Sequence, residues 1–383
     1  MLLSLLLLAA LSPAQLAQQA MIIDTHIDAP SLQVREWQDL SGDSKRQFSH
    51  KLAKQGGLKV GFMSIYTSPT QDETGTALAS AQQQMDSMEA LAYRHPDKFY
   101  IVRNPTQVKA NDKRIALSFG MENGAPLRDD ISRLDMLAKR GVSYITLAHS
   151  GNNKLSDSSY AIDKKWNGLS SFGKQVVSRM NQLGIMVDVS HLSDQAALQA
   201  IELSKTPVIA SHSAFRHFTP GFERNVSDEI AKAIAKKGGV MHVTFGTAFV
   251  SEKDALNLRD YFIELKKFKD QYASDIAQGK KPAMTEAEFD RQWDASHPPG
   301  KATVKDVADH IEYGVKLIGI EHIGIGSDFD GVDSVPEGLQ SAKDYPNLIA
   351  ELQRRKFSDA QIRKIMGGNT LRVWKAIYAA RDK

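Results

Sequence analysis

Short apolar segments alternate with amphipathic segments along most of the chain. The apolar segments are nearly continuous, which is typical of parallel β-strands covered on both faces. These predicted strands span residues 21–28, 58–66, 114–123, 142–150, 184–191, 206–213, 238–246 and 321–331. The segments between them carry apolar residues at helical spacing. Eight β units separated by helices predict an α/β fold, namely a closed (β/α)8 barrel of the TIM type.

The predicted helices carry start and stop signals that agree with this alternation. In "SDQAALQAIELSK", Ser193 can cap the free N–H groups of the first turn, while Ala197 and Ile201 face the sheet. A doubly wound open sheet is the alternative architecture. No Gly-x-Gly-x-x-Gly turn follows the first predicted strand, so the sequence favours the barrel.

One connection is longer than a barrel needs. Residues 250–302 lie between the seventh and eighth predicted strands, and "ALNLRDYFIELKKFKDQYASDIAQGK" within them predicts a helical hairpin. We expect this insertion to lie over the mouth or rim of the barrel. Residues 21–383 are then a single domain that includes the insertion.

The first residues, "MLLSLLLLAALSPAQLAQQA", have the apolar stretch and small residues of a secretory signal. We expect residues 1–20 to be a leader, with Ala14 offering a cleavage position, although no Lys or Arg precedes the leucines. The alternative is a folded protein that begins near Met21. The chain has no Cys, which excludes disulfides and a lipid-modified cysteine. These features predict a periplasmic or secreted protein with no transmembrane segment in its mature form.

Composition narrows the function classes. The formal net charge is +3, and Lys and Arg are interleaved with Asp and Glu. A nucleic-acid-binding protein usually has a concentrated basic face, which this sequence lacks, so we exclude that class of partner.

Ionisable residues follow strand after strand at the carboxyl end. The first strand segment, "MIIDTHIDAP", carries alternating acid and imidazole groups, which an ordinary core strand would not tolerate. The strand-end residues are His26, Asp28, Glu122, His149, His191, His212 and Asp328. In a barrel these ends converge on one face, where active sites are built. We therefore expect these side chains to surround one cavity.

Imidazole and carboxylate groups without thiolates suit Zn²⁺, with Mn²⁺, Co²⁺ or Fe²⁺ as alternatives. These strand-end residues exceed the three protein ligands that one catalytic zinc uses, and two ions that share the Glu122 carboxylate would use five of them. Such a pair polarises a carbonyl group and holds a bridging hydroxide at neutral pH. Asp24 is expected to be a cap or to support the ligands from outside.

Six motifs in order resemble those of the membrane (renal) dipeptidases, which are metallopeptidases with an amidohydrolase-like barrel. The motifs are "DTHIDAP", "GMENGAPL", "LAHSGNN", "VDVSHLSD", "ASHSAF…ERNVSD" and "IGSDFDGV". The resemblance extends from Ile22 to about Trp374. Departures include Ile27 and Ala29, where better-known members have Asn and Leu-like residues, and the insertion.

The resemblance implies a role for each matched residue. His26 and Asp28 match the ligands of a first zinc, Glu122 matches the carboxylate that bridges two zinc ions, and His191 and His212 match the ligands of the second.

The resemblance also implies three residues that act on the substrate, together with a homodimer. His149 matches a residue that contacts the substrate carbonyl oxygen and stabilises the oxyanion. Arg224 matches the guanidinium that receives the substrate carboxylate. Asp328 matches the carboxylate that moves a proton from the water to the leaving amine.

The resulting prediction is a zinc-dependent dipeptidase that hydrolyses free dipeptides, including those with a C-terminal D-residue, through a metal-bridging hydroxide. A related amidohydrolase of N-acyl amino acids or lactams is the alternative, because Arg224 requires a free carboxylate but no free amine. A non-catalytic metal- or solute-binding protein is a third possibility. His149 and Asp328 speak against it, since binding alone needs neither an oxyanion donor nor a proton carrier.

Other polar or aromatic residues are predicted to be structural. Asp330 is expected to support a turn, and His217 and His242 have no matched position in the motifs. Three residues are candidates for the pocket lining, but we expect them in the core or at the rim; they are Met63, Tyr160 and Trp166.

Overall fold

The computed structural model describes residues 11–382, and these residues form a nearly closed parallel barrel. Its strands are β1 (Ile22–Ile27), β2 (Leu58–Tyr66), β3 (Phe99–Ile101), β4 (Ile115–Glu122), β5 (Val142–Thr146), β6 (Met186–Asp188), β7 (Val208–Ser213), β8 (Val240–Val243) and β9 (Ile323–Ile325). The order around the barrel is β1-β2-β4-β5-β6-β7-β8-β9, and every pairing is parallel. The predicted (β/α)8 barrel is confirmed.

The barrel closes through the segments that follow its first and last strands. The Asp28 N–H donates to the Phe329 carbonyl at 2.8 Å, and the Asp328 N–H donates to the His26 carbonyl at 3.0 Å. This closure brings residues from the two ends of the chain into the same site.

Helices surround the barrel. The first group is α1 (Pro13–Gln19), α2 (Ala29–Arg35), α3 (His50–Gly56), α4 (Pro69–Thr74), α5 (Ala77–Arg94), α6 (Ser132–Arg140), α7 (Ser171–Leu183), α8 (Asp194–Leu203) and α9 (Asp228–Lys236). The second group is α10 (Thr247–Val250), α11 (Glu252–Ala277), α12 (Glu286–Ser296), α13 (Val304–Ile318), α14 (Tyr345–Arg354), α15 (Asp359–Arg363) and α16 (Asn369–Ala379). Within residues 11–382, no helix combines the length and apolar character that crossing a bilayer requires.

The observed strands differ from the predicted ones at their carboxyl ends. The fourth, fifth and eighth predicted strands extend several residues past the ends of β5, β6 and β9. His191 and Asp328 have positive φ values of 65° and 66°, which a β-strand does not accommodate. The ionisable side chains of these units therefore come from the loops that follow the strands. β3 was not predicted; among residues 11–382 it pairs only with β4, outside the barrel.

An apolar cluster fills the barrel below the site. It draws one or two side chains from seven of the barrel strands, and α16 adds Val373, Trp374 and Ile377. Aromatic rings connect the two ends of this cluster. Trp374 lies 4.9 Å from Phe62 and Phe62 lies 5.8 Å from Tyr144, measured between ring centroids. The interior is thus packed from α16 up to the ring of Tyr144, which supports the site from below.

The helix α1 lies inside the region predicted to be a leader. The Ser12 hydroxyl accepts a hydrogen bond from the Gln15 N–H, and Leu16 and Ala17 are fully buried. The first ten residues lie outside the described part of the chain. The leader and the location outside the cytoplasm stay predictions.

The long connection between β8 and β9 contains α10, α11 and α12. Phe262 of α11 stacks on Tyr160 at 4.2 Å between ring centroids, and Lys266 lies 3.1 Å from the carboxylate of Asp163. These contacts hold α11 against the loop that follows β5, beside the site.

Candidate metal centre

The strand-end residues meet around one point. His26 and His212 lie near the ends of β1 and β7, and Glu122 is the last residue of β4. Asp28 follows β1 directly, where the chain turns into α2. The three remaining residues lie in loops, each three positions after its strand: His149, His191 and Asp328. All seven are buried except His149, whose side chain is 19% exposed.

Glu122 lies at the centre, and its two oxygens face different groups. Oε1 lies 3.2 Å from Nε2 of His191, 3.3 Å from Nε2 of His212 and 3.4 Å from Nε2 of His149. Oε2 lies 3.4 Å from Nε2 of His26 and accepts a hydrogen bond from the Ser64 hydroxyl at 3.0 Å. A carboxylate in this position can bridge two cations, one on each side.

The His26 side of the cluster contains two buried atoms without hydrogen-bond partners among the described residues. Nε2 of His26 and Oδ2 of Asp28 are 3.3 Å apart, and neither has a partner. Oδ1 of Asp328 lies 4.0 Å from the same Nε2. Buried polar atoms usually have partners, and a cation between these lone pairs would satisfy them.

The donor set fits metal ions. In three groups of three residues, the ligand atoms within each group lie no more than 4.8 Å apart. The groups are His26–Asp28–Glu122, His26–His212–Asp328 and Glu122–His149–His191. Imidazole nitrogen with carboxylate oxygen and no sulfur suits zinc and its first-row neighbours.

Hydrogen bonds from outside the cluster fix which nitrogen of two histidines faces it. Tyr144 Oη donates to the Thr25 carbonyl at 2.9 Å, so it accepts from Nδ1 of His26 at 2.7 Å. This leaves Nε2 of His26 directed into the cluster. Burial acts to lower the pKa of this imidazole, but Tyr144, Glu122 and Asp28 outweigh burial and raise that pKa well above its usual value, so Nε2 carries a proton unless a cation replaces it. A Cβ at Gly120 would lie 1.9 Å from the ring of Tyr144, so a residue without a side chain is needed there.

A second relay orients His212. The Ser211 hydroxyl donates to Oδ2 of Asp188 at 2.6 Å and accepts from Nδ1 of His212 at 2.8 Å. Asp188 is fully buried, and its Oδ1 accepts from the backbone N–H of Ser211 and of Ser190. Sequence reasoning missed Tyr144, Ser211 and Asp188. The only signal was the presence of a carboxylate, Asp188, inside an apolar strand segment.

Burial and neighbouring charge set the protonation of the cluster. Burial lowers the pKa of His191 and His212 well below the usual value, with the positive charge of Arg224 acting in the same direction. Both rings are therefore neutral, which metal ligation requires. Burial also raises the pKa of Asp328 well above its usual value, and Asp28 adds to this effect.

Glu122 shows the opposite balance. Burial acts to raise its pKa, but the histidines around it, His26 and His149 foremost, outweigh burial and hold that pKa well below the usual range. The carboxylate is therefore ionised at neutral pH, as a bridging ligand must be.

Arg224 lies beside the cluster and is 3% exposed. Its Nη1 donates to the Ser213 hydroxyl at 2.9 Å, and its Nη2 donates to the His212 carbonyl at 2.8 Å and lies 3.0 Å from Nε2 of His191. Its Nε has no partner, and no carboxylate of residues 11–382 lies within ion-pair distance. A buried guanidinium without a counter-ion can bind an anion, and its planar fork suits a carboxylate.

Comparison with known proteins shows the family of this chain. The family model "Membrane dipeptidase (Peptidase family M19)" matches residues 12–383. The chain belongs to this family. Within the family, it is 29% identical over 384 residues to an uncharacterized dipeptidase of Schizosaccharomyces pombe, which covers 94% of this chain and 81% of that protein.

Two solved structures have the same fold. The probable dipeptidase PvdM from Pseudomonas aeruginosa superposes with a TM-score of 0.83 at 28% identity, over 96% of this chain and 98% of that one. A metallopeptidase from Rhodobacter sphaeroides, bound to a phosphinate mimic of the dipeptide L-Ala-D-Ala, superposes with a TM-score of 0.76 at 20% identity, over 94% of this chain and 99% of that one. This chain is therefore a member of a family of metallo-dipeptidases, which are hydrolases.

His217 and His242, which were predicted to be structural, lie outside the cluster. Nδ1 of His242 is 2.8 Å from the Ala210 carbonyl oxygen, and its Nε2 is 3.0 Å from the hydroxyl of Thr370. The exposed ring of His217 stacks on Tyr313 at 4.2 Å. Both rings therefore have structural contacts that require no metal.

The two aspartates flanking the ligands hold backbone segments. Asp24 is fully buried; its Oδ1 accepts from the N–H groups of His26 and Ser327, and its Oδ2 accepts from Tyr345 Oη at 2.5 Å. Asp330 accepts from the N–H groups of Gln47 and Phe48, and burial raises its pKa to about 6.

A cavity of about 790 Å³ opens in front of the cluster. Tyr160, which was expected in the core or at the rim, lines it. Met63 is buried in the core, and Trp166 is 38% exposed and outside the cavity lining. The inserted helices contribute much of the outer wall, which sequence reasoning did not identify residue by residue.

Proposed function

We propose that this chain is a zinc-dependent dipeptidase that binds two Zn²⁺ ions across Glu122 and hydrolyses free dipeptides. The observation that carries the proposal is the division of the Glu122 oxygens between two ligand groups, beside a buried Arg224 without a counter-ion. When bound, such ions supply Lewis acidity and activate water near neutral pH. The ligands would be His26 and Asp28 on one side and His191 and His212 on the other.

The residues around the ligands supply binding and proton transfer. Arg224 receives the terminal carboxylate of the substrate, which favours dipeptides over longer chains because the carboxylate must lie next to the scissile bond. His149 points Nε2 toward the cluster, and it donates a hydrogen bond to the substrate carbonyl oxygen as negative charge develops there. Burial lowers the pKa of the His149 imidazole, so it acts as a neutral donor.

Asp328 moves the proton. Burial and the carboxylate of Asp28 raise its pKa, so it accepts a proton from water more readily than an exposed aspartate does. It then returns this proton to the departing amine nitrogen. Oδ1 of Asp328 lies 4.0 Å from Nε2 of His26. In this proposal the scissile amide binds next to these two atoms.

The test combines metal analysis with turnover. The purified protein is expected to contain two zinc ions per chain and to hydrolyse L-Ala-L-Ala, with L-Ala-D-Ala in the same panel as a test for a C-terminal D-residue. Chelation should abolish activity, and zinc should restore it. Activity without any divalent metal, or no hydrolysis of any dipeptide by the zinc-loaded protein, overturns the proposal.

An N-acetylated dipeptide distinguishes a dipeptidase from the alternative, an amidohydrolase of N-acyl amino acids. A dipeptidase requires the free amine and leaves N-acetyl-L-Ala-L-Ala intact. Faster hydrolysis of the acetylated form would instead indicate an amidohydrolase of N-acyl amino acids. The homodimer expected from the resemblance stays a prediction.

A further inference from the structure

The cavity extends outward from the metal ligands beneath the inserted helices. Its volume of about 790 Å³ lies in the upper part of the range that holds drug-sized ligands, which exceeds what two small amino acids fill. We call the part formed by α11, α12 and the following turn the outer chamber. Its acidic and aromatic lining includes Asp254, Tyr261, Asp290, Trp293, Asp294 and His297, and Asn257, Leu258, Phe262 and Pro299 complete it.

The wall of the outer chamber is held in place by contacts between α11 and α12. Tyr261 Oη donates to Oδ1 of Asp290 at 2.9 Å, and its ring lies 5.7 Å from the ring of Trp293. The ring of His297 stacks on Trp293 at 3.9 Å, with an interplanar angle of 9°. The chamber therefore presents ordered aromatic faces beside carboxylates.

The carboxylates of the outer chamber lack basic partners. No Lys or Arg among residues 11–382 forms an ion pair with Asp254, Asp290 or Asp294. Four other acidic side chains of α11 and α12 do have a basic partner, and they are Asp260, Glu264, Asp270 and Glu286. Among the described residues, the cavity lining contains one Lys or Arg, namely Arg35 of α2. Arg224 lies beside the metal ligands, outside this lining.

Asp254 gives an independent indication of a ligand. It is 7% exposed, and its Oδ1 accepts from the Gly300 N–H at 2.6 Å. Its Oδ2 is buried without a hydrogen-bond partner among the described residues. An unpaired carboxylate oxygen in a cavity wall is costly unless a cationic or donor group completes it.

We propose that the outer chamber binds the long cationic side chain of a lysine or arginine in the dipeptide substrate. A guanidinium or ammonium group is attracted both to the carboxylates and to the aromatic faces. The proposal rests on the proposed dipeptidase function and specifies its substrate class.

The test compares arginine with citrulline, which has nearly the same shape but no charge. The zinc-loaded full chain is assayed on Arg-Ala, Ala-Arg and their citrulline counterparts, with Ala-Ala as the reference. We expect kcat/KM for arginine to exceed that for citrulline by about tenfold in at least one position. The ratio should fall as salt is added, because the carboxylates of Asp290 and Asp294 are at least partly exposed.

Variants assign the preference to the chamber. Asp290→Asn with Asp294→Asn should bring the ratio toward one, and Asp294→Asn alone, on an exposed side chain, should lower it in the same direction. The matched control is Asp270→Asn, which removes an exposed carboxylate of α11 that pairs with Lys266 outside the cavity. This control should keep the native ratio.

The possible failures are distinguishable. Hydrolysis of Ala-Ala without any preference for arginine, or a preference that survives the double substitution, overturns the chamber proposal alone. If no dipeptide is hydrolysed, the proposed function fails and the chamber proposal fails with it.

Discussion

At the residue scale, the metal ligands depend on hydrogen bonds that begin far away in the sequence. Tyr144 orients His26 from a position 118 residues later, and Asp188 orients His212 through the hydroxyl of Ser211. The ligands themselves were predictable, because ionisable groups at apolar strand ends stand out in a sequence. The residues that orient them were not, since tyrosine and serine are also common in strands that contribute nothing to a site.

Removal of the Tyr144 hydroxyl should weaken metal binding on the His26 side. Tyr144→Phe leaves Nδ1 of His26 without its acceptor, so the ring can adopt other orientations and the other tautomer. We expect a loss of about 10- to 100-fold in the affinity of one metal ion, measured by competition with a chelating dye.

The control for this substitution is Tyr313→Phe, which removes a hydroxyl bonded to Asp228 away from the cluster. Its metal affinity should equal that of the native chain. Equal affinity in Tyr144→Phe would show that the hydrogen bond to His26 does not position this ligand.

Arg224 should recognise the substrate carboxylate specifically. Arg224→Lys keeps the charge but loses the planar fork, so we expect kcat/KM for Ala-Ala to fall about 100-fold. Ala-Ala amide lacks the carboxylate, and its turnover should change by less than about threefold. A parallel loss on both substrates would assign Arg224 to the support of His212 and not to substrate binding.

At the element scale, apolar runs located every barrel strand but misplaced several ends. The eight predicted strands all exist, since a parallel strand buried on both faces has a strong apolar signal. The extra residues assigned to β6 and β9 belong to loops in which His191 and Asp328 adopt left-handed conformations. Such conformations are imposed by the tertiary site, and no apolar pattern reports them. β3 lies outside the barrel and was not predicted, although it is no shorter than β6 and β9.

The inserted helices should form a unit that opens separately from the barrel. The ring of Phe289 in α12 stacks on the ring of Phe268 in α11, with 5.0 Å between the centroids. This stack is one of the aromatic contacts that join the two helices. Phe289→Ala should increase amide hydrogen exchange in α11 and α12 while leaving the barrel strands unchanged. Tyr272→Ala, at the exposed edge of the same aromatic group, is the control and should have little effect. Faster exchange throughout the barrel would contradict this independence.

At the scale of the whole molecule, buried neutral histidines make folding sensitive to acid. Burial lowers the pKa of His242 and of His310 from 6.5 to about 4. Between pH 4 and pH 6.5 the unfolded chain therefore binds more protons than the folded chain does. The free energy of unfolding falls as the pH falls from about 6.5 to about 4. Each histidine contributes up to about 1.4 kcal/mol per pH unit in this window.

Urea unfolding at a series of pH values measures this dependence, with chelator present so that metal loss does not contribute. His310→Gln should show a smaller decrease of stability on acidification than the native chain. His217→Gln, which removes an exposed imidazole, should keep the native decrease. Identical slopes in all three proteins would contradict the assignment.

The central claim is that two cations share Glu122 at the open end of the barrel. Anomalous scattering at the zinc edge, from crystals of the zinc-loaded protein, tests it most directly. We predict two peaks, one beside His26 and Asp28 and one beside His191 and His212, with the Glu122 carboxylate between them. A single peak, or none within coordination distance of Glu122 in catalytically active protein, would contradict the claim.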